Sequence, residues 1–350
     1  MKEGFKILLI QIKAWLWALA ANLWEDCLKD YLHEQLKGLI SQVIQELTQF
    51  KNSEKYTEMR DKLIEKLFEK IQLPLLLKPF RSLIKNILVN SLEKEITTAY
   101  IGELVMERLK EIDGKFSVTN PESEISRINS LKAGEEIVVS PEVFNLFVAS
   151  MKFYGITEGA FMPLMGNLID LWNVGGKDPH VPSAEQIEKE KSLIESSEFS
   201  YYFELNRIRM IEPGIKINLG AIVKGYAADE CVRILRKYGV KKAVVNLGGN
   251  VYVVGKKDSG EKWTLGIKDP KNPDSADPYL YFKTEEASVV TSGNYERYFE
   301  QDGKRYHHII DYGTGFPSDN GVDSVTVVCR SSEYADALST SFFVMGKEKA

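Results

Sequence analysis

Residues 334–345, YADALSTSFFVM, and residues 218–229, NLGAIVKGYAAD, decide the architecture of this chain. The first stretch follows the strand-like segment VDSVTVVC, and it is predicted to be a helix with Asp336 and Thr340 on one face. A carboxylate and a hydroxyl that converge on one point are hard oxygen ligands, which is what Mg²⁺ takes from a protein. The same spacing is also common on solvated helix faces, so this motif alone does not establish a metal site.

The second stretch predicts a phosphate site. We expect a strand over residues 215–219 that turns through Gly220 into a helix carrying Lys224. The free backbone N–H groups at such a helix start, together with a nearby cation, favour a bound phosphate. A glycine in this position can also serve a purely steric purpose. Taken together, the two stretches predict a site with a metal half and a phosphate half.

The composition bounds the class of protein. The chain has 350 residues, of which 44% are hydrophobic and 27% charged, and its net charge is -5. This suits a soluble globular protein with room for more than one core, and the lack of a basic excess argues against nucleic acid as a partner. Cys27, Cys231 and Cys329 lie far apart, so neither a disulfide framework nor a thiolate metal site is expected. The sequence does not indicate an oligomeric state.

Residues 1–100 are predicted to form an all-α helical bundle. Apolar side chains recur at helical spacing over residues 28–50 and again over residues 56–71, with Glu, Lys and Gln between them. We expect this region to dock onto a partner or a membrane.

Residues 5–24 leave two interpretations open. They approach bilayer-spanning length, but Lys13 near the centre would be costly in hydrocarbon. A helix buried in the bundle or lying on a partner is favoured, and membrane contact through this segment is the alternative. No cleavable export signal follows it, so we expect a cytoplasmic protein, with membrane association and an extracytoplasmic location as alternatives.

Residues 101–350 carry mixed signals that predict an α+β domain with a mixed sheet. Strands are expected over residues 136–139, 243–247, 251–254, 263–268 and 287–291, and helices over residues 104–112 and 184–194 and after Ser140-Pro141. The apolar stretch over residues 157–172, with Gly159 and Gly166, suits either a pocket wall or plain core packing.

His307 and His308 are adjacent on a predicted strand. Neighbours on a strand face opposite sides, so at most one of them can point into a shared site. A lone histidine is more often a structural hydrogen-bonding group than a catalytic one.

Eight motifs occur in a fixed order: SEISRIN, TEGAF, NLGAIVKGYAAD, NLGGN, WTLGIKDP, TSGNYER, YHHIID with a following GTG, and ADALST. In this order they resemble the ApbE family of FAD:protein FMN transferases, from about Leu104 to the end of the sequence. The resemblance implies binding of FAD with Mg²⁺, transfer of FMN to a serine or threonine of a target flavoprotein, and release of AMP.

The resemblance also implies site residues. The metal ligands would be the Ala221 carbonyl, the Asp336 carboxylate and the Thr340 hydroxyl. The implied flavin contacts are Thr119, Gly159, Ala160, Phe161, Met162, Lys224, Gly248, Gly249, Thr291, Ser292, Gly293, His308 and Ile309. The catalytic set would be Asp336, His308 and Lys224, with Asp336 and His308 both open as the base for the acceptor hydroxyl.

Several positions depart from the family pattern. Thr119 stands where a tyrosine is common, and Met162 and Leu164 replace an aspartate and a threonine. We also expect the domain to lack the first and last family strands. These departures keep two alternatives open: a module that binds FAD without transferring FMN, and a protein whose N-terminal helices are the interaction element.

Overall fold

The fold is described from a computed structural model, which describes residues 47, 56–70, 81–196, 199–202, 206–210 and 214–350. Contacts divide the chain into two compact units, Met1–Leu104 and Val105–Ala350. No helix among the described residues combines the length and apolarity that crossing a bilayer requires.

The described part of the first unit consists of α1 (Tyr56–Lys70) and the beginning of α2 (Arg81–Phe116). The Tyr56 hydroxyl donates a hydrogen bond of 2.6 Å to Glu93 Oε2, which ties the two helices together. Two helices do not make a bundle, and most of residues 1–55, with the proposed membrane contact at 5–24, lies outside the described residues. The helical bundle therefore stays a prediction.

The second unit continues from the end of α2 and alternates helices with strands. Its helices are α3 (Glu124–Asn129), α4 (Pro141–Ile156), α5 (Gly166–Trp172), α6 (Ala184–Ser196), α7 (Val223–Lys237) and α8 (Ser332–Lys349). The predicted start of α4 is confirmed, since the Ser140 side chain accepts from Val143 N and Pro141 is the first helical residue. The helix predicted over residues 104–112 proves to be the final part of α2.

All strand pairs among the described residues of this unit are antiparallel. The strands are β1 (Glu136–Val138), β2 (Phe199–Tyr202), β3 (Arg207–Met210), β4 (Ala243–Leu247), β5 (Asn250–Val254), β6 (Trp263–Ile267), β7 (Leu280–Thr284), β8 (Ala287–Gly293), β9 (Tyr298–Gln301), β10 (Lys304–His307), β11 (Ile310–Asp311), β12 (Phe316–Pro317) and β13 (Ser324–Cys329). The largest sheet has the order β13-β8-β5-β4. A three-stranded sheet has the order β1-β3-β2, and three two-stranded ribbons complete the set.

Helices α7 and α8 pack against each other and against the four-stranded sheet. α8 contacts β5, β8 and β13, while α7 contacts β4 and β5. Helices covering an antiparallel sheet are an α+β arrangement, so the predicted α+β class is confirmed for this unit. The predicted mixed sheet is wrong for the described residues, because the neighbouring strands of the four-stranded sheet all pair antiparallel. The predicted metal helix and the predicted phosphate helix are therefore neighbours in one layer.

The strand predicted over residues 215–219 is wrong. This segment is not part of a sheet, because its backbone groups are satisfied elsewhere. The Asn129 side chain donates to Ile217 O at 2.9 Å and accepts from Ile217 N at 2.7 Å. Gly166 N donates to Lys216 O at 2.9 Å, and a Cβ on Gly166 would come within 2.7 Å of that oxygen. The Asn129 side-chain amide and Gly166 N thus form the hydrogen bonds that a neighbouring strand would otherwise form with this segment.

Candidate active site

A cleft with a cavity volume of about 310 Å³ opens beside α7 and α8. One part of its lining is apolar, and these residues are Val118, Ala160, Phe161, Met162, Met165, Ile169, Val174, Ile309 and Ile310. The other part is polar or exposes backbone, and these residues are Asn218, Gly220, Ala221, Lys224, Thr291, Ser292, Gly293, Arg297, His308, Asp336 and Thr340. An apolar wall with a few converging polar groups is the usual form of a small-molecule site.

Asp336 and Lys224 meet at the polar end of the cleft. Asp336 is 2% exposed, and its Oδ2 accepts from Gly225 N at 2.9 Å. The Lys224 ammonium lies 3.4 Å from Asp336 Oδ1 and 3.3 Å from Asn250 Oδ1. A buried carboxylate needs such partners, since an uncompensated charge in a protein interior is strongly unfavourable. The α8 carboxylate is therefore held by the first turn of α7.

Gly225 allows the two helices to come this close. A Cβ on Gly225 would lie 2.1 Å from Ser332 O and 2.8 Å from the Asp336 Cβ. No side chain can occupy that space without separating the helices, so the contact between Gly225 N and Asp336 depends on glycine.

One turn further along α7, Asp229 caps the start of α8. Its carboxylate accepts from Ser332 N at 2.9 Å, from Glu333 N at 3.0 Å and from the Ser331 hydroxyl at 3.1 Å. These N–H groups have no partner within their own helix, and a negative charge at a helix N-terminus is favourable. Asp229 and Gly225 together fix where α8 presents Asp336.

Thr340 and Ala221, the other two predicted metal ligands, line the same cleft. The Thr340 hydroxyl lies 3.3 Å from Ser292 Oγ, which is in turn 2.8 Å from Ser339 Oγ. This chain of hydroxyls joins α8 to the end of β8. All three predicted ligands therefore lie in the lining of one cavity.

The adjacent histidines face different ways, as the sequence predicted. His307 is buried, its Nε2 donates to Ser318 O at 3.0 Å, and its Nδ1 accepts from Ile309 N at 3.2 Å. Both of its ring nitrogens are thus used within the structure, and its role is structural.

His308 lines the cleft instead. Its Nδ1 lies 3.2 Å from the Arg297 carbonyl oxygen. A carbonyl can only accept, so Nδ1 carries the proton and Nε2 is left with a free lone pair. Burial, the charges of Arg297 and Lys224, and the neighbouring His307 lower the pKa of His308 to about 4, against the opposing effect of its bond to the Arg297 carbonyl. The imidazole is therefore neutral near pH 7.

Most predicted flavin contacts line the cleft, and four do not. Ala160, Phe161, Met162, Lys224, Thr291, Ser292, Gly293, His308 and Ile309 are in its lining. Gly248 and Gly249 form the two-residue turn between β4 and β5, where their φ values of +60° and +99° suit a tight hairpin. Gly159 (φ +88°) follows the end of α4 and donates to Tyr154 O. Thr119 lines a neighbouring pocket, which shares Val118 and Asn218 with the cleft.

A family model that matches most of this chain identifies its family. The model of the ApbE family matches residues 86–350. This chain belongs to the ApbE family. An ApbE relative from Klebsiella pneumoniae, named FAD:protein FMN transferase, is 37% identical over 71% of this chain and 77% of its own length. Another of that name, from Treponema pallidum, is 33% identical over 71% of this chain and 72% of its own length.

Solved structures agree with this assignment. The ApbE protein from Thermotoga maritima superposes with a TM-score of 0.65 at 38% identity, covering 70% of this chain and 78% of that one. The flavin transferase ApbE from Vibrio cholerae superposes with a TM-score of 0.63 at 29% identity, covering 71% of this chain and 79% of that one. The name that the sequence relatives share implies FAD as their substrate and a protein as the acceptor of FMN.

Three residues that shape this ApbE cleft escaped the sequence analysis. Gly225 and Asp229 lie in the quoted motif NLGAIVKGYAAD, and their four-residue spacing could have placed both on the face of α7 that meets α8. Arg297 lies in TSGNYER and also lines the cleft. Nothing in the sequence marks it, because its position depends on how β8 connects to β9.

Proposed function

We propose that this chain is an FAD:protein FMN transferase that moves FMN from FAD to a serine or threonine hydroxyl of a target flavoprotein, releases AMP and depends on Mg²⁺. The observation that carries the proposal is one cleft that joins an apolar wall to Lys224, His308, Asp336 and Thr340. The apolar wall suits a flavin ring, and the polar end suits a diphosphate.

The donor set at the polar end fits Mg²⁺. Ala221, Asp336 and Thr340 offer a carbonyl, a carboxylate and a hydroxyl in the same cleft. Only one Asp336 oxygen accepts a backbone N–H, and the other has the Lys224 ammonium at 3.4 Å. No group of three or more His, Cys, Asp or Glu that could hold a metal ion occurs in the part of the chain described. A site with a single carboxylate suits Mg²⁺, which fills its remaining positions with water and substrate phosphates.

When bound, the ion would neutralise charge on the diphosphate and on the departing AMP. Lys224 would add a positive charge to the same group, since its side chain already reaches the polar end of the cleft. The backbone around Gly220 and Ala221, just ahead of α7, would lie against the phosphates. The contacts from Gly225 and Asp229 hold α8 in place, so the geometry exists before substrate arrives.

His308 is our choice for the proton acceptor. Its Nδ1 proton is bonded to the Arg297 carbonyl, which leaves Nε2 free to take the proton of the acceptor hydroxyl. The hydroxyl oxygen forms a bond to the phosphorus of the FMN moiety while the bond from that phosphorus to the AMP oxygen breaks. The acceptor keeps FMN, AMP leaves with the electrons of the broken bond, and the proton passes to His308.

Asp336 is the weaker candidate for this role. Both of its carboxylate oxygens already have a partner, Gly225 N at 2.9 Å and the Lys224 ammonium at 3.4 Å, whereas His308 Nε2 has none among the described residues. Its burial at 2% exposure also keeps it at the floor of the cleft rather than at a position open to an incoming protein.

Transfer of FMN to an acceptor protein tests the proposed function directly. The purified chain is incubated with FAD, MgCl₂ and a recombinant flavoprotein that the Vibrio cholerae relative modifies, and the acceptor mass and released AMP are measured. We expect the acceptor to gain one FMN and AMP to appear in equal amount, and we expect Asp336→Ala to abolish both. Asp319→Asn, outside the cleft, serves as the control. Tight binding of FAD with no AMP release would show a binding module and refute the transferase.

A further inference from the structure

One cation in the cleft has no partner among the residues that the structure describes. Among the described residues, the cationic side chains in its lining are Lys224 and Arg297. Lys224 is already bonded to Asp336 and Asn250, at 3.4 Å and 3.3 Å. The Arg297 guanidinium makes no hydrogen bond or ion pair with any described residue, whereas Arg305 nearby pairs with Glu300 and lies over the Tyr298 ring.

The backbone and stem of Arg297 are nevertheless fixed. Its carbonyl accepts from His308 N at 3.1 Å and from His308 Nδ1 at 3.2 Å. Its Cδ lies beside Gly175, at 3.7 Å from where a Cβ would be. Arg297 is thus an exposed residue with a fixed backbone, and its guanidinium is available to donate to an anion in the cleft.

The position beside His308 indicates which anion. In the proposed reaction, the proton acceptor and the attacked phosphorus must both lie within a few ångströms of the same hydroxyl. Arg297 lines the same cleft as His308 and its carbonyl is bonded to that residue, so its guanidinium is within reach of the phosphoryl group that is transferred. Arg297 also contributes to the lowered pKa of His308, which agrees with its charge lying near the ring.

The charge of the cleft lining favours the same conclusion. Lys224 and Asp336 offset each other, so Arg297 leaves the lining with a net positive charge for an incoming diphosphate. A guanidinium can donate two parallel hydrogen bonds to one phosphate, and it stabilises the charge that spreads over the equatorial oxygens of a transferring phosphoryl group.

We propose that Arg297 is a catalytic residue whose guanidinium binds the phosphate that stays with the flavin, not the phosphate that leaves in AMP. This rests on the proposed function, and it adds a substrate contact beside His308 that the Lys224–Asp336 pair does not supply. Arg297 thereby distinguishes FMN-containing ligands from free adenylate.

The assignment is tested by measuring how the full chain binds FAD, FMN, AMP and riboflavin in the presence of MgCl₂. Calorimetry, or displacement of bound FAD, gives the four affinities. We expect Arg297→Gln to weaken FAD and FMN about tenfold, the size of one charge-assisted hydrogen bond, and to leave AMP and riboflavin unchanged. Arg297→Lys should bind FAD and FMN with affinities between those of the wild type and Arg297→Gln, because it keeps the positive charge but loses the paired N–H donors of the guanidinium.

Arg305→Gln is the matched control and should leave all four affinities unchanged, because that side chain lies outside the cleft. Unchanged FAD affinity in Arg297→Gln would overturn the assignment, and so would a loss of AMP affinity equal to the loss for FAD. A wild-type chain that binds no FAD would overturn the proposed function together with this inference, whereas the first two outcomes leave the proposed function standing.

Discussion

Asp336 shows at the scale of one residue how a buried charge is kept available for a ligand. Its two oxygens face different partners, a backbone N–H at 2.9 Å and an ammonium at 3.4 Å. The first contact is a good hydrogen bond, and the second is long enough for an ion to replace it. Lys224 compensates Asp336 in this structure, and under the proposed function we expect it to turn to the diphosphate when FAD binds.

Lys224→Ala separates these roles. We expect FAD binding to weaken about tenfold or more, since a charge-assisted contact to phosphate is lost. The concentration of Mg²⁺ needed for half-maximal FAD binding should stay the same or fall, because a cation next to Asp336 has been removed. Flavin fluorescence quenching at several MgCl₂ concentrations measures both. Lys242→Ala, whose partner is the exposed Asp258 at 2.7 Å, is the control; an unaltered FAD affinity would exclude Lys224 from the site.

His308 gives a prediction for pH. With a pKa of about 4, the ring stays neutral down to mildly acidic pH, so kcat/KM should lose its base only as pH falls toward that value. Bound diphosphate adds negative charge near the ring and should raise this pKa. Titration of the His308 ring proton by NMR, with and without FAD, reports the shift directly. A free-protein value near 6.5, the ordinary pKa of histidine, would contradict the burial and the two cations described here.

At the scale of elements, the contact between α7 and α8 decides the geometry of the site. Gly225 permits the crossing, and Asp229 caps α8 one turn further along. The four-stranded sheet beneath supports both helices. The site is therefore built on helices that are fixed from two sides, which holds Asp336 more rigidly than a loop would.

Gly225→Ala tests the crossing. The added Cβ would lie 2.1 Å from Ser332 O, so we expect α8 to shift and the free energy of unfolding to fall by about 1–3 kcal/mol. The response of FAD binding to Mg²⁺ should be lost as well. Gly114→Ala in α2 is the matched control, because nothing lies within 4 Å of its Cβ, and it should stabilise by about 0.5–1 kcal/mol. Equal effects of the two substitutions in urea denaturation would refute the role given to Gly225.

Arg108 joins three helices of the second unit and acts at the scale of the whole domain. From α2 it donates to Glu142 on α4 and, at 2.9 Å, to Glu230 on α7, and it also contacts Tyr226 at 3.2 Å. Burial favours the neutral form of Glu142, but the hydrogen bonds from Lys115, Arg108 and Tyr226 outweigh it and hold the pKa of Glu142 below its ordinary value. This network connects the helix layer that carries the site to the rest of the domain.

Arg108→Ala should destabilise the domain by about 3 kcal/mol, since it leaves two mostly buried carboxylates with fewer partners. The effect should not reach the upper end for buried pairs, because Lys115 and Arg233 still bond to those carboxylates. Arg305→Ala at the surface should cost at most about 1 kcal/mol. Thermal or urea unfolding measures both variants. A loss of unfolding free energy in Arg108→Ala no larger than in Arg305→Ala would show that the network stabilises the domain no more than a surface ion pair does.

The sequence predicted features that depend on neighbouring residues and missed those that depend on distant ones. The cap of α4, the helix with Asp336 and Thr340, and β4 over residues 243–247 rest on neighbouring residues, and these were confirmed. The strand over residues 215–219 was wrong because Asn129, some 88 positions away, takes its hydrogen bonds. The close approach of Gly225 to Ser332 and the position of Arg297 in the cleft were not predicted, since each depends on a partner from another part of the chain. The assignments of metal, base and flavin contacts stay predictions until the experiments above are done.

The hydrogen bond from Gly225 N to Asp336 spans 111 positions in the chain, with all strands of the four-stranded sheet between its ends. Contacts that distant form late in folding, because the intervening chain must first be ordered. A polypeptide still emerging from the ribosome would therefore possess Lys224 and its helix long before it possessed the carboxylate that completes them. FMN transfer that depends on Asp336 would therefore require α8 to be synthesised and docked against α7.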